Sequence, residues 1–349
     1  MYLVTLVART PQQTTGPTLV EVAPILDARG LQFEDELNRP GSARLTTDPA
    51  TLPAAVQARL RDLKAAPCEL WVERDGTRMF AGPLLGWSLS DDGNLQLTAA
   101  GLAYYLDYMF VAADQTFTAT DQWTIARTLV DQWQDLDYGN YGIDVSAVTT
   151  SGVTRDRTYL ASEENWVGDR IRELGAVING FDHHVDPASR VLVLEASRGT
   201  DLTATVVVGV GVTSPGLTAS VAAGDIASEA FGRSTGDDGE LLTSTAADTT
   251  VRSGFGRSAV SGTWNGISVQ GTLDDHTGRL LTTRSKMLLT TEPDLIPIVG
   301  ASVGDFAVGD TVVFDYDPGF GRITENRRIV RMRIQVADDG NETIALGFQ

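Results

Sequence analysis

The run CELWVERDGTRMFAGPLLGWSLS, residues 68–90, constrains the fold more than any other stretch of the chain. Apolar and polar residues alternate on both sides of Asp75-Gly76. Such a pair suits a two-residue turn whose central residues both take positive φ, so a β-hairpin is expected. SDDGNLQLTAAG follows as a second turn and strand, and MYLVTLVA, TLVEVAPIL and ARLTT precede as strands. One short helix interrupts them after Asp48-Pro49. There Leu52, Val56, Leu60 and Leu63 form an apolar stripe at helical spacing, and Pro53 is tolerated in the first turn.

Residues 111–200 change character. TATDQWTIARTLVDQWQ puts Trp123, Ala126, Leu129, Val130 and Trp133 on one face of a helix near 121–135. SEENWVGDRIRELG reads as a helix near 162–175. Ser162 is its expected cap, Glu163 and Glu164 occupy its first turn, Arg170 and Arg172 its last, and Gly175 closes it. Its buried stripe is Val167, Ile171 and Leu174. A hairpin over 177–197 follows, turning at Asp186-Pro187-Ala188-Ser189, with VLVLEAS as the returning strand.

Residues 201–349 return to strands, apart from a helical insertion near 274–289. Asp274 or Asp275 is its expected cap, and Leu280, Leu281, Met287 and Leu288 its buried residues. SLSDDGNLQLTAAG is echoed by QVADDGNETIALGF, a strand leading into Asp-Asp-Gly-Asn and a strand leaving it in both cases. The echo points to two similar antiparallel β-barrels, residues 1–110 and 201–349, with a small α/β domain (111–200) between them. The expected class is mainly β with an α+β insertion.

The formal charge is −19 and the isoelectric point about 4.5. A phosphate backbone is repelled by such a chain, so tight nucleic-acid binding is excluded, whereas a surface past which DNA slides is compatible. Cys68 is the single cysteine, so an intrachain disulfide and four-cysteine zinc sites are excluded; it reads as a small buried residue. MYLVTLVARTPQQ has no cationic leader and reads as a strand. The uncharged run 202–224 carries Thr, Ser, Gly and Pro throughout and reads as strands broken at Ser214-Pro215-Gly216, with no stable membrane insertion.

NGFDHHVDPASR places two of three histidines beside two acids. On a strand His183 and His184 point to opposite faces, and Asp182 with His184 makes only two ligands, short of a metal site. His276 is expected on the surface. Gly232-Arg233-Ser234-Thr235-Gly236 matches the G-x-S-x-G pattern, but turn residues follow where a nucleophile elbow needs a helix. The acidic turns at Asp91-Asp92, Asp237-Asp238 and Asp338-Asp339 lack calcium-loop spacing. No catalytic, cofactor-binding or metal-binding residue is assigned, and no enzyme is expected. A second class stays open: a secreted β-rich protein that binds or cleaves carbohydrate, with Trp264 in SGTWNGIS able to stack on a sugar ring.

Three segments together resemble tail hub proteins of long-tailed bacteriophages of the siphophage type. The first has Arg39-Pro40-Gly41-Ser42 ahead of a strand, then Trp71, Asp75, Gly76, Phe80 and Gly82 in a W-x-x-x-D-G-x-x-x-F-x-G hairpin. The second is ENWVGDRIRELGAVINGFDHHVDPASRVLVLE; the third runs from SVGDFAVGDTVVF, with Gly309-Asp310, to RRIVRMRIQVADDGNETIALGF. The resemblance implies a homotrimer, two similar barrels per subunit making a ring of six that matches a sixfold tail tube to a threefold tip. It implies as partners the distal tail protein ring and tube, the tape measure protein, and tip or fibre proteins, with DNA only as passing cargo. It places the protein in the virion at the tail tip, after assembly in the host bacterial cytoplasm.

Overall fold

The computed structural model describes residues 1–62, 67–163, 165–209, 219–221, 226–235, 240–265, 267, 269–285, 289–291, 294–295, 302–317 and 322–349. Leu63, Glu164, Met287, Leu288, Pro215 and the Asp237-Asp238 turn lie outside them. Two compact units emerge. The first comprises Met1–Arg172, Asp182–Leu217 and Glu292–Phe348; the second comprises Glu173–Phe181 and Thr218–Thr291, with Gln349.

The first unit opens with β1 (Tyr2–Thr10), β2 (Thr18–Pro24), β3 (Arg29–Glu36) and β4 (Arg39–Thr47). Helix α1 (Ala54–Arg61) buries Val56 and Leu60 as the stripe requires. β5 (Cys68–Arg74), β6 (Thr77–Leu89) and β7 (Leu95–Ala100) follow. The β5–β6 turn has φ of 51° at Asp75 and 82° at Gly76, the conformation expected of the Asp-Gly pair. Next come β8 (Gln115–Asp121), α2 (Gln122–Gln134), β9 (Thr154–Tyr159), α3 (Val167–Gly175), β10 (Asp182–Val185), β11 (Leu192–Glu195) and β12 (Val207–Gly209).

The second unit holds β13 (Ala219–Val221), β14 (Glu229–Thr235), β15 (Leu241–Ala247), α4 (Thr249–Phe255), β16 (Ala259–Asn265), α5 (Gln270–Arg284) and β17 (Leu289–Thr291). The chain then returns to the first unit with β18 (Asp294–Leu295), β19 (Thr311–Tyr316), β20 (Ile323–Val336) and β21 (Glu342–Phe348).

A twelve-stranded sheet organises the first unit, in the order β12-β19-β20-β3-β4-β7-β6-β5-β1-β2, with β21 branching from β20 and β18 pairing with β21. Strands from both ends of the chain therefore share one sheet. Ile344, Ile334, Phe33, Ala43 and Ala99 pair across five strands in one row, and all five are buried. One residue along, Thr343, Gln335, Gln32, Arg44 and Thr98 make a parallel row on the opposite, wetter face. This is the alternation that reads one face into the core and the other into water.

The two Asp-Asp-Gly-Asn turns are built alike. Gly93 and Gly340 have φ of 82° and 85°. Asp92 accepts from the Asn94 backbone N–H as Asp339 does from that of Asn341, and each Asn amide donates to the same Asp at 2.7 Å. The β6–β7 and β20–β21 hairpins flank the β3–β4 hairpin on its two sides.

Two helix starts differ from the sequence expectation. Ser162 sits in a separate turn, and α3 begins at Val167. The reason is long-range: Val111 N–H donates to Asn165 C=O and Val167 N–H to Met109 C=O, which holds residues 165–166 extended. Val167, Ile171 and Leu174 are fully buried as expected. α5 begins at Gln270, so Asp274 lies inside it and accepts from Ser244 Oγ at 2.7 Å instead of capping. α2 is capped by Asp121, which accepts from the N–H groups of Trp123 and Thr124.

In the second unit β14 lies between β15 and β16, and α5 packs on this sheet. Gly232 admits that packing, and Gly262 makes room for the Trp264 ring of its own strand. A Cβ on Gly232 would sit 2.0 Å from Thr277 Oγ1, and one on Gly262 would sit 2.4 Å from the Trp264 ring.

Candidate functional site

The Asp182-His183-His184 stretch forms a polar junction in the first unit. β10 and β11 pair in register, Asp182 opposite Glu195 and Val185 opposite Leu192. Asp186 closes their turn by accepting from Ala188 N–H, Ser189 N–H and Ser189 Oγ–H. Asn38, at φ 60° in the tight β3–β4 turn, clips onto β10 twice. Its side-chain amide donates to Asp182 Oδ1 at 2.8 Å, and its Oδ1 accepts from His183 N–H at 2.8 Å. Asp182 Oδ2 accepts from Arg198 N–H at 2.9 Å and from Arg328 Nη2 of β20.

Asp182 is buried, which by itself raises a carboxyl pKa, yet the Arg328 guanidinium, the Arg198 N–H and Asn38 outweigh burial and hold it below the usual range. Its oxygens are committed to these donors. Among the described residues no group of three or more His, Cys, Asp or Glu side chains is placed to hold a metal ion. His183 is 2 % exposed; burial, and then the Arg172 charge, push it down to about 4. Burial and the Arg198 charge push His184 to about 4 as well. Both imidazoles are neutral at pH 7.

A cleft of about 520 Å³ is lined by His184, Asp186 and Arg198 from this junction and by the buried Phe33, Phe80, Met332 and Ile334 of the sheet. Its charges are largely paired. Asp35 takes a bidentate contact from Arg198, and Asp310 accepts from Thr200 N–H and Ala307 N–H, each at 2.7 Å. The Gly309-Asp310 pair earns its place by close approach: a Cβ on Gly309 would lie 2.4 Å from Arg198 C=O, at φ 101°.

A second buried cluster joins residues far apart in the sequence. Glu69 of β5 is fully buried. It accepts from Tyr105 Oη at 2.8 Å, Trp71 Nε1 at 3.0 Å and Arg190 Nη1 at 2.9 Å. Arg9 of β1, 7 % exposed, lies over the Tyr141 and Tyr105 rings at 4.7 and 5.2 Å. The available signal was a charged residue, Glu69 or Arg9, at an inward position of a strand. Cys68 beside it is buried, and burial raises its thiol pKa.

The decoys resolve individually. Ser234 ends a strand; its hydroxyl donates to Ile267 C=O and accepts from Ile267 N–H, a structural clasp. Phe231-Gly232-Arg233-Ser234 lies in β14, whereas the same four residues at 255–258 lead out of α4. His276 is not on the surface. It is buried against the half-buried Trp264, ring centres 5.1 Å apart. No helix among the described residues is long and apolar enough to cross a membrane.

The large mixed sheet with few helices is the fold of phage tail proteins. The chain aligns with the 43 kDa tail protein of prophage MuSo2 from Shewanella oneidensis at a TM-score of 0.66 and 12 % identity, over 99 % of this chain and 98 % of that one. A tail protein from Neisseria meningitidis MC58 aligns at 0.59 and 12 % identity, over 99 % and 96 %. Prophage tail protein gp18 from Listeria monocytogenes EGD-e aligns at 0.59 and 12 % identity, over 99 % and 94 %. No protein-family model and no curated protein matches the sequence.

Proposed function

We propose that this chain is a structural protein of a phage tail, the trimeric hub that terminates the tail tube at its distal end. The observation that carries the reading is the end-to-end match of its fold to prophage tail proteins, covering 99 % of the chain. In this reading residues 1–110 and 201–349 make two similar barrel halves with the α/β segment between, so that three chains present six, and the like-built Asp-Asp-Gly-Asn turns of β6–β7 and β20–β21 are what suggests the likeness. The partners in this reading are the distal tail ring and tube, the tape measure protein, and tip or fibre proteins. The net charge of −19 suits a wall past which DNA leaves without sticking. The role is mechanical and non-enzymatic, in the virion after assembly in the host cytoplasm.

Sedimentation of the purified chain tests the reading. The expected species has three times the 37.4 kDa chain mass and persists on dilution into the micromolar range. A chain that stays monomeric at high concentration contradicts it.

A further inference from the structure

β8 and β9 form a sheet of their own, and among the described residues neither accepts a further strand. Two-stranded ribbons are marginal alone and gain from a partner. At the ribbon's root Phe110 and Trp166 form a β-bridge. Both stay open to solvent, at 39 % and 44 % exposure. Trp133 of α2 stacks beside Phe110 with ring centres 4.8 Å apart, and Trp166 lies 6.2 Å from it. Contiguous exposed aromatics of this kind mark interaction sites.

Charge says what covers them. Between Arg127 and Arg155 the chain has Asp131, Asp135, Asp137 and Asp144 and no Lys or Arg. Asp135 and Asp137 are exposed and directly follow the helix that supplies Trp133. The ribbon strand β9 carries the opposite sign, Arg155 and Arg157 around one Asp156. In a chain of net −19, copies repel unless a basic element of one meets an acidic element of the next.

We propose that the Arg155–Arg157 ribbon of one copy lies on the aromatic patch Phe110–Trp133–Trp166 of the next, with Asp135 and Asp137 as its acidic border. This deepens the trimer reading and rests on it. The contact joins two different surfaces, so it propagates head to tail, as a closed ring of three requires. Arginine suits the patch because its planar cation stacks on indole faces and pairs with carboxylates.

The test is sedimentation of the full chain, with circular dichroism as the folding control. R157E and, separately, W166A are expected to weaken self-association at least tenfold while leaving the fold unchanged. R155E/R157E goes further, and R155E/R157E/D135R/D137R, which exchanges the two charge sets, recovers the trimer. Trimers that persist undiminished in R157E and W166A overturn the proposal and leave the trimer reading standing. A charge-exchanged variant that stays dissociated overturns the assigned pairing. A wild-type chain that is monomeric throughout removes the reading and the proposal together.

Discussion

Asp182→Ala is expected to destabilise the first unit by about 3–5 kcal/mol, seen as a lower urea midpoint at unchanged m. The cost is not that of one hydrogen bond. Removing the carboxylate leaves the Arg328 guanidinium, the Arg198 N–H and the Asn38 amide facing a low-dielectric gap without their acceptor. These donors come from a turn, a connecting segment and β20, so the variant also loosens the tie between β10 and the sheet. Asp186→Ala is the matched control. Its carboxylate serves only its own turn, and its loss is expected to cost about 1 kcal/mol. Equal effects of the two substitutions would contradict the junction described here.

The histidines predict acid lability in a defined window. His183 and His184 titrate near 4 in the folded chain against 6.5 for a free imidazole. The folded state therefore binds fewer protons than the unfolded chain between these values. Stability is complete above pH 6.5, falls as pH drops, and stops falling from this cause below about 4. For buried His183 the loss across the window is on the order of 3 kcal/mol; half-buried His184 adds less. Asp182 has a lowered pKa, so its contribution is lost only at more acid pH and does not blur the window. Thermal midpoints at pH 7 and pH 4.5 should differ clearly in the wild type and much less in His183→Gln. Equal pH slopes in the two proteins would contradict the burial argument.

Local features were legible in the sequence because their causes are local. Asp75-Gly76 dictated its turn, and the Asp-Asp-Gly-Asn echo reported two turns with the same bonds. What escaped was set by distance along the chain. Asp182 meets Asn38 across 144 residues and Arg328 across 146, so no window of sequence holds the junction. The start of α3 moved because Met109 and Val111 hold its approach extended, which its own capping residues cannot reveal. His276 was misplaced because its polarity suggested solvent, whereas a neighbouring Trp264 ring gives it a buried stacking partner. The strand pairing of β3 with β20 likewise joins the two ends of the chain, and composition carries no trace of it.

A place at the distal end of the tail is tested most directly by labelling. Virions carrying an epitope tag on this chain, decorated with a gold-conjugated antibody and imaged by electron microscopy, should show gold confined to the distal end of the tail. Gold distributed along the tube or on the capsid, or none on intact and disrupted particles alike, would contradict the assignment.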